Sequence, residues 1–122
     1  MTPSPEIRTF AIAADDRGSL LPIEFADVPF TVRRAFAVTG PPGGATRGNH
    51  IVPCMQLLCL VAGTVTVQVG HDDSPLSEPA HLEHPGQSVL LTPGTFVRYT
   101  LADASSILLV LAEEPFSGAS PE

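Results

Sequence analysis

Thirteen prolines and ten glycines divide this 122-residue chain into short apolar runs rich in Val, Ile, Leu, Phe and Thr. Proline removes the N–H that a helix interior needs, and glycine weakens helices and strands alike. Punctuation this dense permits strands of a few residues joined by turns and leaves no room for long helices. No window sustains the 3.6-residue apolar repeat of an amphipathic helix. Strands are expected near 7–12, 19–25, 31–38, 55–61, 63–69, 79–84, 88–92, 96–101 and 105–112. Turns are expected at "DDRG", "GPPGGATRG", "AG", "GHDDSPLSEP", "HPGQ" and "TPGT". Short strands at this spacing make an all-β sandwich or small barrel.

Alternation assigns faces within these strands. In "TVRRAFAV", Val32, Arg34, Phe36 and Val38 share one face while Arg33, Ala35 and Ala37 share the other. In "GTVTVQVG", Val65, Val67 and Val69 oppose Thr64, Thr66 and Gln68. "SILLVLAE" is apolar on both faces, as expected of a strand covered on one side by the core and on the other by a neighbouring subunit, so a homodimer is expected. A chain of this length with 43% apolar residues supports a single domain, 1–122, with its core at about 7–112 and loose tails at both ends.

The net charge of −7, from six arginines and no lysine against thirteen acidic residues, excludes a nucleic-acid or anionic-membrane partner. Both need clustered positive charge. An anionic ligand must instead be held by a few placed arginines. Cys54 and Cys59, five apart on what reads as one strand, point to opposite faces and cannot bridge each other. Unpaired cysteines and the absence of a signal-like N-terminus or membrane-length apolar run make the cytoplasm the expected location.

Four segments carry more specific information: "DDRGSLLPIE" (15–24), "VPFTVRRAF" (28–36), "RGNH" followed by "QLLCLVAGTVTV" (47–50 and 56–67), and "LLTPGTFVRYTLADASSILLVLA" (90–112). In order and spacing they resemble the cupin-type 3,4-ketoisomerases of dTDP-4-keto-6-deoxyhexoses, the WxcM-like sugar 3,4-ketoisomerases. Those enzymes share D-x-R-G-x-L-x-x-I-E, P-F-x-x-K/R-R, R-G-x-H-A-H-x-x-x-x-Q and a late V-L-A strand. The resemblance implies a cupin, RmlC-like jelly-roll barrel of antiparallel strands, dimeric, with a sugar-nucleotide pocket in each barrel. It also implies a histidine-mediated shift of a ketone from C4 to C3 in deoxysugar or natural-product biosynthesis, without a cofactor.

His50 and Arg47 are the candidate catalytic residues. Imidazole suits proton removal beside a carbonyl and proton return to the next carbon, because its ordinary pKa of about 6.5 lies near working pH. Arg47 offers a fixed cation for the developing oxyanion. Read from residues alone, His50 is equally a strand-end histidine bonded to a carbonyl or water, and Arg47 a surface charge. Arg34, on the Val-rich face, and Arg17 are candidates for a diphosphate, since guanidinium forks match phosphate oxygens. Gln56 alternates with Leu58 and Leu60 on an otherwise apolar face, which favours a pocket role. Phe36, Phe96, Arg98 and Tyr99 complete the candidate substrate-binding set.

The chain departs from the family pattern at several of these places. "HIVPCMQ" has one histidine where the pattern has two and is one residue shorter, so His50 stands for either of them. Phe36 and Ala37 replace a tyrosine pair, and Phe96 and Val97 replace a tryptophan–histidine pair. Every replacement is apolar, which opens a second reading: a repurposed cupin whose greasy cavity binds, cyclises or isomerises a hydrophobic intermediate. No metal is expected. A cupin metal set needs H-x-H, a glutamate and a later histidine, and Val52 stands at the second of these positions. The cysteines lack a glycine-rich elbow and read as inert packing residues, and "GPPGG" is a turn without phosphate-cradling context.

Overall fold

The structure is a computed structural model and describes residues 2–71 and 75–115. Met1, part of the "GHDDSPLSEP" turn and the tail from 116 onward lie outside the described residues. Eleven strands follow one another: β1 (Arg8–Thr9), β2 (Ala13–Asp15), β3 (Gly18–Leu20), β4 (Arg34–Thr39), β5 (Ala45–Ile51), β6 (Gln56–Ala62), β7 (Val65–Gly70), β8 (Ala80–Leu82), β9 (Gln87–Leu91), β10 (Phe96–Leu101) and β11 (Ile107–Ala112). The only helical element among the described residues is a 3₁₀ turn at Phe25–Asp27. A five-stranded sheet, β1-β9-β6-β11-β4, and a four-stranded sheet, β5-β10-β7-β8, are antiparallel throughout, and β2 and β3 form a separate hairpin.

The expected alternation is what joins the two large sheets. Val65, Val67 and Val69 of β7 and Val97, Tyr99 and Leu101 of β10 are buried together with Leu58 and Leu60 of β6, Val89 and Leu91 of β9 and Leu108 and Val110 of β11. Both inner faces contribute, as in a sheet-on-sheet core. Phe36 packs against this core beside Val38, so the inner face of β4 is the one carrying Arg34, Phe36 and Val38, whereas Val32, expected on that face, precedes the strand and packs in the outer cluster.

A second cluster lies on the outer face of the five-stranded sheet. Leu57 of β6 and Leu111 of β11 meet Val28, with Phe10, Ile23, Phe30 and Val32 packed against them. The two-sided apolarity of β11 therefore has a cover within its own chain. The runs read as strands at 7–12 and 19–25 contribute Phe10 and Ile23 to this cover, and the irregular segment 28–32 contributes Val28, Phe30 and Val32. Pro22 prevents the second run from continuing as a ladder strand.

β5 runs through the second half of the expected "GPPGGATRG" turn. Gly43 and Gly44 have φ of 86° and 87°, as a turn requires, but pairing with β10 begins immediately afterwards, Leu101 opposite Ala45.

Cys54 and Cys59 are buried and free. Burial pushes the Cys59 thiol up to about 11 from 9.0, so it stays protonated and unreactive at neutral pH. The linkage has a definite sign. Above pH 9 the unfolded chain releases this proton while the folded chain keeps it, so stability falls as pH rises from about 9 toward 11. Denaturant titrations across that range should show this decline, and Cys59→Ala should flatten it. An unchanged slope in the variant would disprove the assignment.

Candidate active site

β5 carries Arg47 and His50, three residues apart, and in a regular strand an odd separation sends two side chains to opposite faces. The pairing with β10 removes that conflict. Val97 lies opposite His50 and Arg98 opposite Gly48, leaving Asn49 as an extra residue; beyond it Tyr99 lies opposite Arg47. This bulge returns Arg47 to the face that His50 occupies. The face is the inner one, because the cross-strand partners Val97 and Tyr99 are 1% and 3% exposed. Gly48 and Asn49 supply the bulge's left-handed backbone, at φ of 85° and 56°. Among non-glycine residues asparagine is one of the few that adopts this region readily. A Cβ on Gly48 would stand 3.0 Å from the Val97 carbonyl oxygen and 3.2 Å from Cε1 of Tyr99.

The facing sheet supplies the second half. Arg34 of β4, Ala112 of β11, Gln56 of β6 and Leu91 of β9 lie in one row across it. The next row, Phe36, Val110, Leu58 and Val89, belongs to the main core, so the first row faces inward too. Connectivity places it near His50: β4 starts, β5 ends and β6 starts at the same end of the sandwich, while the β6–β7 turn closes the other. Gln56 is 4% exposed in these apolar surroundings. The Arg34 guanidinium lies 4.4 Å from the centre of the Phe36 ring, a cation–π stack that holds the charge at this end.

Of the residues singled out from sequence, the structure thus brings His50, Arg47, Tyr99, Gln56, Arg34 and Phe36 to the inner faces at one end. It separates three others. Phe96 and Arg98 share the opposite face of β10, where Arg98 Nε donates to Asn49 Oδ1 at 2.7 Å. The signal was present, since Phe96, Arg98 and Thr100 alternate with Val97, Tyr99 and Leu101. Arg17 sits on the exposed β2–β3 hairpin, its Nη2 2.5 Å from Asp15 Oδ2. That contact, together with the bond from the Arg17 backbone N–H, holds the Asp15 carboxyl below its ordinary range.

His50 is half-buried, and Val52 beyond it is fully buried, its N–H donating to the Thr95 carbonyl at 2.9 Å. A cupin metal set does not fit here: the second ligand position holds a core valine, and among the described residues no three His, Cys, Asp or Glu side chains gather as ligands. His71, His81 and His84 are exposed.

With this geometry in hand, comparison with known families decides the kinship. The family model described as WxcM-like, C-terminal, matches residues 4–120. The chain belongs to the WxcM-like family. No curated protein matches it. Among solved structures this WxcM-like chain is similar to QdtA, a sugar 3,4-ketoisomerase from Thermoanaerobacterium thermosaccharolyticum in complex with TDP. The identity is 28% and the TM-score 0.78, over 92% of this chain and 82% of that one. It also shares its fold with the WlaRB TDP-quinovose 3,4-ketoisomerase of Campylobacter jejuni, at 24% identity and a TM-score of 0.76 over 93% and 88% of the two chains. ChmJ, a 3'-monoepimerase from Streptomyces bikiniensis in complex with dTDP-quinovose, has the same fold at 19% identity and a TM-score of 0.74 over 91% of this chain and 64% of that one. The all-β cupin jelly roll expected from the motifs is therefore the fold of this WxcM-like chain.

Proposed function

We propose that this protein is a sugar-nucleotide isomerase that moves the ketone of a dTDP-linked 4-keto-6-deoxy sugar from C4 to C3. The coarser reading, a sugar-modifying isomerase or epimerase, is supported by the family and by the ketoisomerase and epimerase neighbours. The observation that carries the finer one is the β5 bulge, which turns a general base and a cation inward together. In this reading the His50 imidazole takes the proton from C3, and the electron pair flows to the C4 oxygen as an enediolate. The Arg47 guanidinium steadies that oxyanion. The C3 hydroxyl proton passes to the C4 oxygen, and as the C3 carbonyl forms the His50 imidazolium returns its proton to C4 on the same face. Arg34 takes the diphosphate.

The test is thermal stabilisation followed by isotope exchange. With dTDP at about 100 times its dissociation constant the folded state should gain ~2.7 kcal/mol. In a chain of this size that is a rise of roughly 10 °C in melting temperature. With dTDP-4-keto-6-deoxyglucose in deuterated water, solvent deuterium should enter at C3 or C4. No stabilisation and no exchange above buffer would sink the sugar reading.

One set of observations favours a second reading. Phe36, Val52 and Val97 line the inner faces where the related motif carries polar groups, and Val52 and Val97 are 0% and 1% exposed. A hydrophobic intermediate held here would be cyclised or isomerised chiefly by orientation, which lowers a barrier by ~7–11 kcal/mol at best.

The working unit in either case is a homodimer. Leu20 and Phe25, at 64% and 57% exposure, flank or belong to a hairpin with three-residue strands, a unit that is marginal in water without a cover. Light scattering at micromolar concentration should give twice the chain mass; a single-chain mass would remove the dimer.

A further inference from the structure

We infer that Asn49 and Arg98, on the outer face of the four-stranded sheet, are positioning residues: their hydrogen bond holds the β5 bulge that sends Arg47 and His50 to one inner face. The inference rests on the proposed catalytic pairing of those two side chains, but the orientation it concerns is measurable without any substrate. Without an extra residue between them, either Arg47 or His50 would face solvent, so the site depends on the bulge remaining where it is.

Glycine alone does not fix that place. Gly48, at φ 85°, permits the left-handed turn but equally permits others, whereas the second left-handed residue is Asn49, at φ 56°. Asn49 is the only non-glycine residue with positive φ among the described residues. A side chain in that conformation is held by something, and the tie here crosses the strands: Arg98 Nε donates to Asn49 Oδ1 at 2.7 Å, within the short range of a charge-assisted bond. The register break falls between Val97 and Arg98, so the donor belongs to the first residue past the break and the acceptor to the bulged residue itself. The tie therefore marks the two positions between which a slip would occur. A slip of one residue rotates Arg47 or His50 out of the site while leaving the rest of β5 paired.

The experiment compares Arg98→Met, Asn49→Leu and Asn49→Asp, with the His50 ring observed by NMR in unliganded protein. The exposed rings of His71, His81 and His84 act as internal references. In the native protein the His50 ring proton should be protected from relaxation by a soluble gadolinium chelate relative to those three. Arg98→Met and Asn49→Leu should move its signal and remove that protection, whereas Asn49→Asp, which keeps an acceptor for the guanidinium, should retain both. In the exchange assay the first two variants should lose roughly 10²-fold in kcat, the effect of an ångström-scale misplacement, with KM nearly unchanged and Asn49→Asp rescuing the rate. Arg98→Met changes one half-buried side chain on the outer face and serves if Asn49→Leu fails to fold. A His50 signal and protection unchanged in Arg98→Met would overturn the inference. If wild type shows no exchange at all, the sugar reading fails and the NMR comparison still decides this one.

Discussion

Leu60→Ala is expected to cost the protein about 2–5 kcal/mol of stability, the range for truncating a fully buried leucine. Leu60 is 0% exposed and lies in the main core opposite Leu108 of β11. Its side chain fills space between two sheets, each tied by ladder hydrogen bonds, so neighbours relax only partly and a cavity remains. The adjacent Val61 is 36% exposed on the other face of the same strand. Val61→Ala should therefore change stability by no more than about 0.5 kcal/mol. Guanidinium denaturation of the two variants beside wild type measures both values. Because domains of this size are stable by only ~5–15 kcal/mol, the Leu60 loss should be plain as a shift in midpoint at constant slope. Leu60 lies toward the β6–β7 turn, away from the end where His50 and Gln56 gather, so isotope exchange below the transition should persist. Similar costs for the two variants would mean that the face assignment of β6 is wrong.

The contrast between those neighbours shows why so much of the fold was legible. Where a strand buries one face, the burial writes a period of two into the sequence, and β7 obeys it as far as Val69 and β10 throughout. β5 hides because two of its features break the code that reveals the others. Gly43, Gly44 and Gly48 imitate a long turn, and the extra residue at Asn49 destroys the alternation on which a face assignment depends. The pair "GN" was the available clue, since glycine and asparagine are the residues that adopt positive φ most readily. The N-terminal runs misled in the opposite direction. The runs 7–12 and 19–25 are apolar enough to be strands, yet part of what they bury, Phe10 and Ile23, covers the outer face of a sheet rather than pairing in it. Sequence reports that such residues are covered, and only the topology says by what. The same limit applies to the site. Arg17 and Arg34 are equally good phosphate ligands as residue types, but one is committed to Asp15 on a hairpin and the other stacks on Phe36 at the inner end.

His50→Ala should lower isotope exchange into the proposed keto sugar by ~10²–10⁴-fold, the contribution of a positioned general base. Among the four histidines in the chain, His50 has its side chain on a core-facing surface, while His71, His81 and His84 are exposed. No second histidine follows at Val52, so proton removal and return must both use one imidazole on one face of the sugar. Such a mechanism predicts internal return: part of the proton taken from C3 should reappear at C4 before it exchanges with water. Product formed in deuterated water should then carry less than one deuterium at the accepting carbon, a deficit that a two-base enzyme does not show. The fold should survive the substitution, because a half-buried strand-end imidazole contributes little core area, and the variant's melting temperature provides the check. Arg47→Lys separates the two proposed roles. It keeps the charge but not the guanidinium fork, so it should slow exchange less than removal of the base does. Full exchange by a folded His50→Ala protein would remove His50 from the chemistry and leave orientation of the substrate as the source of any catalysis.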